Sequence, residues 1–182
     1  MHKDCDAALV NSCKRGDRQA MSELVNRYQR TVFNAAYRIL GNTEDAADIA
    51  QTVFLKVFEH IADYDPRFKF FSWVYRITIN ESLNQLSKRR KQEPLGDCQA
   101  SPLHSPAEEL ESKWLCNRVQ AALMLLNTEY RTVVVLKHIS GCSYHQISEI
   151  LQLPEKTIKS RLYSARQLMK KSLQVDKECG QS

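Results

Sequence analysis

Apolar residues recur at helical spacing in two short runs within residues 143–171. The first run is preceded by Ser143, a candidate N-cap. Leu153-Pro154-Glu155 interrupts the periodicity, because proline disfavours a helical conformation at the residue before it and suits the first turn of a new helix. The apolar positions of the first run are Ile147, Ile150 and Leu151. The pattern therefore predicts two helices joined by a tight turn.

The second of these helices, which we expect to begin at about Lys156, has two contrasting faces. Its narrow apolar face comprises Ile158, Leu162, Ala165 and Met169. Its opposite face comprises Lys156, Lys159, Ser160, Tyr163, Gln167 and Lys170. Arg161 and Arg166 flank the apolar stripe, where their long stems can pack while the charges reach outward.

This composition favours DNA binding by the second helix. Six basic residues and one acidic residue lie between Glu155 and Lys171. Phosphates attract such cations, and the outward polar side chains can contact base edges in the major groove. A solvated amphipathic helix on an ordinary bundle is the alternative, but the preceding helix and the turn at Pro154 together are typical of a helix-turn-helix.

The N-terminal half also shows helical periodicity. Two helical runs occupy residues 6–40, and Gly41 is expected to end the second with a left-handed cap. Thr43 is predicted to cap a third helix that extends to about Ile61. That helix exposes a polar set of Asp48, Gln51 and Lys56. The set could meet a protein partner, but from spacing alone an ordinary solvated face is favoured.

A loop rich in aromatic and basic residues follows at residues 63–71. Such side chains could stack on unpaired bases, or the rings could fill the core beneath the loop. Its aromatic members include Tyr64, Phe68 and Phe70. The fourth predicted helix, from Ser72 to Lys91, carries a second polar side beside its buried stripe, formed by Trp73, Arg76, Asn80 and Asn84.

The predicted fold is all-α, with two small helical domains. A proline-containing segment without periodicity, residues 93–107, separates a domain at residues 6–92 from one at residues 108–174 and is expected to be a flexible linker. Five glycines, five prolines and the helical periodicity of the long runs support this fold class. Hydrophobic residues make up 43% of the chain, enough for packed cores.

Charge is distributed unevenly around a net value of +5. Residues 1–92 contain 15 basic and 11 acidic side chains. Residues 93–113 contain one basic and five acidic side chains, and residues 114–182 contain ten basic and five acidic ones. Two basic regions on either side of an acidic connector suit a polyanion that is contacted at two places. No membrane span or signal peptide is recognisable, so we expect a cytoplasmic protein without membrane insertion.

Candidate chemistry outside nucleic-acid binding is sparse. The six cysteines have no paired spacing and are expected to be thiols in that compartment. His138, Cys142 and His145 could place three metal ligands close together, but no fourth ligand has suitable spacing, and we expect neither a metal nor a cofactor. No phosphate-binding glycine loop or nucleophile motif occurs, so catalysis is not expected.

Three sequence blocks, in this order, resemble the bacterial extracytoplasmic-function group of the sigma-70 family. EDAADIAQTVFLKVF (44–58) is similar to the helix that binds core RNA polymerase, and FFSWVYRITINESLNQL (70–86) to the segment that engages the melted minus-ten strand. GCSYHQISEILQLPEKTIKSRLYSARQLM (141–169) is similar to the fourth-region helix-turn-helix. The resemblance covers about residues 6–92 and 108–172 and implies an alternative sigma factor that directs promoter opening.

The resemblance also implies roles for individual residues. Asp48, Gln51 and Lys56 would face the polymerase, which reverses the preference for a merely solvated helix face. The minus-ten strand would be held by Tyr64, Phe68, Phe70, Trp73, Arg76, Asn80 and Asn84. The duplex minus-thirty-five element would lie against Lys156, Lys159, Ser160, Tyr163, Arg166, Gln167 and Lys170. An anti-sigma partner is expected, and a free-standing helix-turn-helix repressor or activator is the alternative.

Overall fold

The computed structural model describes residues 3–92 and 108–179, with side chains at 6–89 and 116–171. These residues form helices and contain no strand, which confirms the all-α prediction. The α-helices are α1 Lys3–Lys14, α2 Arg18–Leu40, α3 Thr43–Glu59, α4 Phe70–Gln92, α5 Glu108–Met124, α6 Thr128–Val134, α7 Tyr144–Leu151 and α8 Glu155–Cys179. A 3₁₀ turn at Ile61–Asp63 follows α3, and a π turn at Val135–Ile139 follows α6. The predicted linker, residues 93–107, lies outside the described residues.

Helix α2 begins and ends where local side-chain chemistry predicts. The Asp17 carboxylate accepts hydrogen bonds from the backbone N–H groups of Gln19 and Ala20 at 2.9 and 3.2 Å. At the other end Gly41 has φ of 75° and donates its N–H to the Tyr37 carbonyl. A side chain disfavours this left-handed conformation, so glycine ends the helix there at least cost.

The residue that caps α3 differs from the prediction. Asn42, with φ of −127° and ψ of 131°, accepts a hydrogen bond from Asp45 N–H, whereas Thr43 is the first residue of the helix itself. The prediction of Thr43 as the cap was therefore wrong by one residue. Both residue types can cap a helix, but Asn42 occupies the extended position that precedes the first turn.

Helices α1 to α4 enclose the first hydrophobic core. Its fully buried members include Val10, Leu24, Val32, Val53 and Val74. Burial of these side chains supplies the main driving force for packing the four helices. Polar contacts also join α1 to α2. Tyr28 Oη donates to Asp6 Oδ2 at 2.6 Å, and Arg27 lies 2.7 Å from Asp6 Oδ1.

Helices α5 to α8 form the second lobe, which contains the predicted helix-turn-helix. Ser143 and Gln146 form a reciprocal capping box at the start of α7, which confirms Ser143 as the N-cap. Gln152 ends α7 in the left-handed conformation, with φ of 55°. Pro154 then precedes the first residue of α8. The π turn has no counterpart in the sequence prediction.

The two lobes pack against each other through a second core. Ile39 and Tyr75 of the first lobe are buried with Leu123, Leu136 and Ile147 of the second. Gly41 adds a close approach, since a Cβ atom on it would lie 2.6 Å from Met124 Sδ. The apolar surfaces that the two lobes share are therefore removed from water by their contact.

Arg131 joins the lobes through polar contacts. Its guanidinium donates to the Ile39 carbonyl at 2.6 Å, to Leu123 at 2.9 Å, and to Met124 and Leu126 at 3.0 Å each. Ile39 belongs to the last turn of α2, and Leu123 and Met124 to the last turn of α5. Carbonyls at helix ends lack partners and carry partial negative charge, so a buried cation suits them.

Candidate nucleic-acid interface

The outer surface of α8 is polar and basic, as the periodicity predicts. Ile158, Leu162 and Ala165 are buried on its inner side. Seven side chains are exposed on its outer side: Lys156, Lys159, Ser160, Tyr163, Arg166, Gln167 and Lys170. Tyr163 is 66% exposed, which is unusual for an aromatic side chain and is consistent with a contact surface. The predicted face of six residues is therefore solvent-exposed, and Arg166, predicted to flank the apolar stripe with its charge outward, is exposed as well.

Neighbouring elements extend this surface in ways that sequence reasoning missed. The Tyr144 ring, at the start of α7, contacts two ammonium groups: Lys137 Nζ is 4.7 Å and Lys159 Nζ 5.2 Å from its centroid. Such cation–π contacts orient long cationic side chains without neutralising their charge. His138, in the π turn, accepts from Arg166, whose Nε and Nη2 lie 3.3 and 3.1 Å from its Nε2.

Arg161 occupies a different environment from the outward cations. Its Nη2 lies 2.9 Å from Glu129 Oε2, and it is largely covered at the flank of the apolar stripe. Lys159 also has an acidic neighbour, Glu155 Oε2 at 3.4 Å, but both of those side chains are solvent-exposed to a large degree. Arg161 therefore braces α8 against α6, while Lys159 and Arg166 remain at the outer surface.

The predicted loop at residues 63–71 ends earlier than expected, because Phe70 is already the first residue of α4, and its aromatic residues divide into two groups. Tyr64 and Phe70 are buried, with ring centroids 5.4 Å apart in an edge-to-face arrangement, and Tyr64 Oη donates to the Phe68 carbonyl at 2.6 Å. Phe68 is 46% exposed. Lys14 Nζ holds the loop from α1, donating to the carbonyls of Ala62 and Tyr64 at 3.1 and 3.0 Å. Tyr64 and Phe70 thus support a loop whose outward ring is Phe68.

A cavity of about 210 Å³ lies between this loop and the start of α4. Phe68, Trp73 and Arg76 contribute to its walls, and Glu149 of α7 closes it from the other lobe. Ser72, which the sequence analysis did not single out, presents a buried hydroxyl without a hydrogen-bond partner. The cavity therefore combines aromatic residues with charged ones, among them Asp63 and Arg76, as a pocket for a planar polar ring requires.

Arg76 connects this cavity to the second lobe. Its Nη2 donates to the Glu149 carbonyl at 2.6 Å, while its Nε is buried without a partner. Farther along α4, Asn80 and Asn84 are exposed at four-residue intervals from Arg76. The three side chains therefore follow one side of the helix, and Arg76 is the member already engaged by α7.

The loop also contains an ion pair at its tip. Arg67 Nη2 lies 2.6 Å from Asp65 Oδ2. The hydrogen bond from the Arg67 side chain, followed by that from its backbone N–H, lowers the pKa of the Asp65 carboxyl. The carboxyl is therefore more acidic than an ordinary aspartate, and the ion pair spans the exposed turn near the cavity.

The three residues of α3 that were predicted to face the polymerase have different environments. Asp48 and Gln51 are exposed, and the side chain beside them is Leu55, which is 65% exposed. Lys56 instead forms a 2.7 Å ion pair with Glu81 of α4. Leu55 was missed because an apolar residue within a hydrophobic helix is normally expected to face the core.

His138, Cys142 and His145, which were considered above as metal ligands and set aside, belong to no candidate metal cluster among the described side chains. No group of three or more His, Cys, Asp or Glu residues there is arranged to hold a metal ion. Cys142 is buried, and desolvation raises the pKa of its thiol to about 11. No helix in the described part of the chain is long and apolar enough to cross a membrane.

Comparison with known proteins agrees with this arrangement along both lobes. Residues 24–92 match Sigma-70 region 2, and residues 116–169 match Sigma-70, region 4. The ECF RNA polymerase sigma factor SigW of Bacillus subtilis (strain 168) is 31% identical over 176 residues, covering 90% of this chain and 94% of that protein. The RNA polymerase sigma-H factor of Pseudomonas aeruginosa is 29% identical over 181 residues, covering 93% and 94%.

Solved structures share the fold across both lobes. CnrH, in complex with the cytosolic domain of CnrY, superposes with a TM-score of 0.75 at 25% identity, covering 94% of this chain and 98% of that one. The sigma factor RpoE from Bartonella quintana superposes with a TM-score of 0.71 at 24% identity, covering 85% and 97%. Because one superposition with CnrH spans both lobes, the lobes are packed in a similar way in that chain.

The chain belongs to the sigma-70 family, within its extracytoplasmic-function group. It is accordingly an alternative sigma factor, a subunit that joins core RNA polymerase to promoter DNA for the initiation of transcription.

Proposed function

We propose a division of labour between the two lobes. Residues 6–92 bind core RNA polymerase and the melted minus-ten strand, and residues 108–174 bind the duplex minus-thirty-five element. Residues 93–107 act as the tether that lets both lobes reach separate parts of one promoter. The observation that carries this proposal is the exposed basic face of α8, which lies on a well-packed helix-turn-helix. The protein acts by binding rather than catalysis, in the cytoplasm where the polymerase is.

The polymerase contact is proposed to centre on the exposed face of α3. Asp48 and Gln51 offer polar groups around Leu55, whose exposed apolar side chain would be buried by a partner. Lys56 borders this face and is held by Glu81, so it supports the surface more than it projects from it. An apolar centre within a polar rim is the usual composition of a protein interface.

The minus-ten strand is proposed to run along the loop and the polar side of α4. Phe68 and Trp73 would stack on bases, Arg76, Asn80 and Asn84 would hold the adjoining strand, and the cavity beside Ser72 would enclose an extruded base. Tyr64 and Phe70 contribute from beneath, because their buried rings hold the loop in shape.

Strand binding and the packed arrangement of the lobes compete for the same groups. Arg76 donates to the Glu149 carbonyl, and Glu149 forms part of the cavity wall. We propose that the packed form is a resting state that opens when polymerase binds, and that an anti-sigma protein holds it closed. The similar packing in CnrH, which was solved in complex with another protein, supports this proposal.

Co-purification with core polymerase tests the N-terminal assignment. The exposed Gln51 is changed to Arg, which adds charge and bulk to the proposed contact face, and Gln29→Arg provides a matched control on the exposed side of α2. We expect Gln51→Arg to reduce retention of polymerase at least about tenfold, equivalent to about 1.4 kcal/mol. Gln29→Arg should retain polymerase like the wild type. Equal retention by all three proteins would remove α3 from the interface.

A free-standing helix-turn-helix regulator is the competing function. Such a protein would bind duplex DNA without polymerase, usually as a dimer on paired half-sites. Tight, sequence-selective duplex binding by the isolated chain, together with no retention of polymerase, would favour it over the sigma assignment.

A further inference from the structure

The contact between His138 and Arg166 links the π turn to the outer face of α8. Arg166 Nε and Nη2 lie 3.3 and 3.1 Å from the same ring nitrogen, His138 Nε2. A guanidinium has five N–H donors in a fixed plane. Two of them converge on His138, so the remaining three, on Nη1 and the far side of Nη2, are available to another acceptor. The contact therefore determines which edge of Arg166 faces outward.

The histidine side of the contact rests on a firmly held backbone. His138 lies within the π turn Val135–Ile139, whose first two residues are buried in the core shared by the lobes. Ser140 N–H donates to the Val135 carbonyl at 3.0 Å, and Lys137 Nζ donates to the Cys142 carbonyl at 3.1 Å. A long, exposed arginine side chain is mobile unless held, whereas this turn is anchored. His138 therefore orients Arg166, and not the reverse.

The contact requires a particular protonation state of the ring. His138 Nε2 can accept a hydrogen bond only when the ring is neutral with its proton on Nδ1. Desolvation, and then the charges of Arg166 on α8 and Lys137 on the same turn, lower the pKa of His138. The neutral, accepting form consequently prevails at neutral pH, and it is lost as pH falls through that lowered pKa.

We propose that His138 is a positioning residue for promoter recognition, which holds Arg166 so that its free edge meets the bases of the upstream duplex. The proposal rests on the proposed function, because it requires Arg166 to contact that duplex. Two parallel N–H donors on one guanidinium edge match the O6 and N7 acceptors of guanine. An arginine that is ordered before binding also loses less side-chain freedom when the complex forms.

Protonation of His138 should change sequence selectivity and general affinity for DNA in opposite directions. The protonated ring becomes a donor, releases Arg166 and repels it, so the base contact is weakened. The added positive charge also attracts phosphates, which strengthens binding to any duplex sequence. The ratio of affinities for a selected and a scrambled duplex cancels the phosphate effect. That ratio is therefore the quantity that reports the positioning role.

The test uses polymerase holoenzyme assembled with the full chain. The probe is a duplex that wild-type holoenzyme selects from a library randomised in the upstream element, compared with the same duplex scrambled there. We expect the affinity ratio for wild type to fall progressively as pH decreases from about 7.5 through the lowered pKa of His138, by about twofold or more at about pH 5. His138→Ala should show the low ratio at both pH values. His138→Gln, which keeps a side-chain acceptor, should keep more selectivity than His138→Ala at both pH values and show no fall.

His145→Gln is the matched control on the same lobe, since the ionic neighbour of the His145 ring is Glu149 of α7, at 3.8 Å. It should retain the fall in selectivity. Nitrogen NMR of the full chain adds a readout independent of DNA: the His138 ring should carry its proton on Nδ1, and its pKa should rise in Arg166→Ala.

The outcomes distinguish a failure of the positioning role of His138 from a failure of the proposed DNA contact by Arg166. If Arg166→Ala leaves selectivity for the upstream duplex unchanged, the proposed role of Arg166 in DNA binding fails. If Arg166→Ala reduces selectivity but His138→Ala behaves like wild type at both pH values, Arg166 keeps its role and the positioning role of His138 is overturned. An Nε2-protonated ring in the NMR spectra would overturn it as well.

Discussion

At the scale of single residues, Gly41 shows how one position serves both lobes. Its φ of 75° favours a residue without Cβ, and a Cβ placed there would lie 2.6 Å from Met124 Sδ and 3.4 Å from Met124 Cε. The conformation ends α2, and the missing side chain lets α5 approach. Gly16 makes an informative comparison, because its φ is 84° but nothing lies within 4 Å of its missing Cβ.

Alanine substitution at the two glycines separates the cost of left-handed backbone strain from the cost of a steric contact. We expect Gly16→Ala to lower the free energy of unfolding by about 1 kcal/mol, through left-handed strain alone. Gly41→Ala should lower it by about 2 kcal/mol, because Met124 must also move. Urea unfolding of the full chain measures both values. A loss at Gly41 no greater than the loss at Gly16 would mean that the Met124 contact contributes nothing.

At Gln152, the end of α7, we expect the opposite effect: introducing a glycine should stabilise the fold. Gln152 holds a left-handed conformation, with φ of 55°, and carries a side chain that this conformation disfavours. Gln152→Gly should therefore raise the free energy of unfolding by about 0.5–1 kcal/mol. Gln152→Ala keeps the Cβ atom and should bring no gain. Thermal unfolding of both variants checks this, and equal stability of the two would contradict the strain argument.

At the scale of elements, α8 is a helix whose two faces have different tasks. Its apolar side packs into the core shared by the lobes, while its exposed side concentrates cations and polar groups. Arg161 lies between these faces and bonds Glu129, so it is a cation of the same helix that is committed to the fold. This contrast supplies an internal control for DNA binding.

Removing individual cations of α8 should change the salt dependence of duplex binding unequally. Lys159→Ala and Arg166→Ala should each weaken binding of holoenzyme to the upstream duplex and reduce the slope of log affinity against log salt by about 1. Arg161→Ala should leave the slope nearly unchanged, although it removes the same charge. Fluorescence anisotropy over a salt series measures the slopes. Three equal slopes would indicate a diffuse attraction and no defined interface.

The elements also show which parts of the structure were predictable. Asp17, Gly41 and Ser143 end or begin helices through contacts within a few residues, so their chemistry is visible in the sequence. The exposed face of α8 follows from its periodicity alone. The π turn and the left-handed Gln152 were not predicted, because they depend on how the second lobe packs.

The candidate site divides in the same way. The polar side of α4 was predictable from spacing, whereas the burial of Tyr64 and Phe70 depends on rings contributed by α2 and α4. Lys56 was predicted to face a partner, yet its ion pair is with Glu81, 25 residues away in the chain. The sequence carries no signal for these roles of Ser72, Leu55 and His138, because their relevance depends on their surroundings in the folded chain. Periodicity identifies a face, but it does not identify what that face meets.

At the scale of the whole molecule, the packing of the lobes is the feature with the widest consequence. Arg131 satisfies helix-end carbonyls from both lobes, and Arg76 bonds the backbone of α7. Buried carbonyls that lose a charged donor are costly to leave unpaired. These two arginines therefore stabilise the packed form against the open form that promoter binding is proposed to require.

Loss of Arg131 should loosen the packed form. We expect Arg131→Ala to lower the free energy of unfolding by about 3 kcal/mol, because several buried hydrogen bonds from a charged donor are lost together. The radius of gyration of the free chain should also increase. Small-angle X-ray scattering measures the expansion, with Arg30→Ala, on the exposed side of α2, as the control. An unchanged radius would show that Arg131 does not hold the lobes together.

The most direct test of the central claim is run-off transcription with purified core polymerase on a genomic promoter library. The account predicts transcripts from a discrete set of promoters that require this chain, that are strongly reduced by Gln51→Arg and by Arg166→Ala, and that persist with Gln29→Arg. If the chain directs no transcript while binding duplex DNA without polymerase, the account is contradicted.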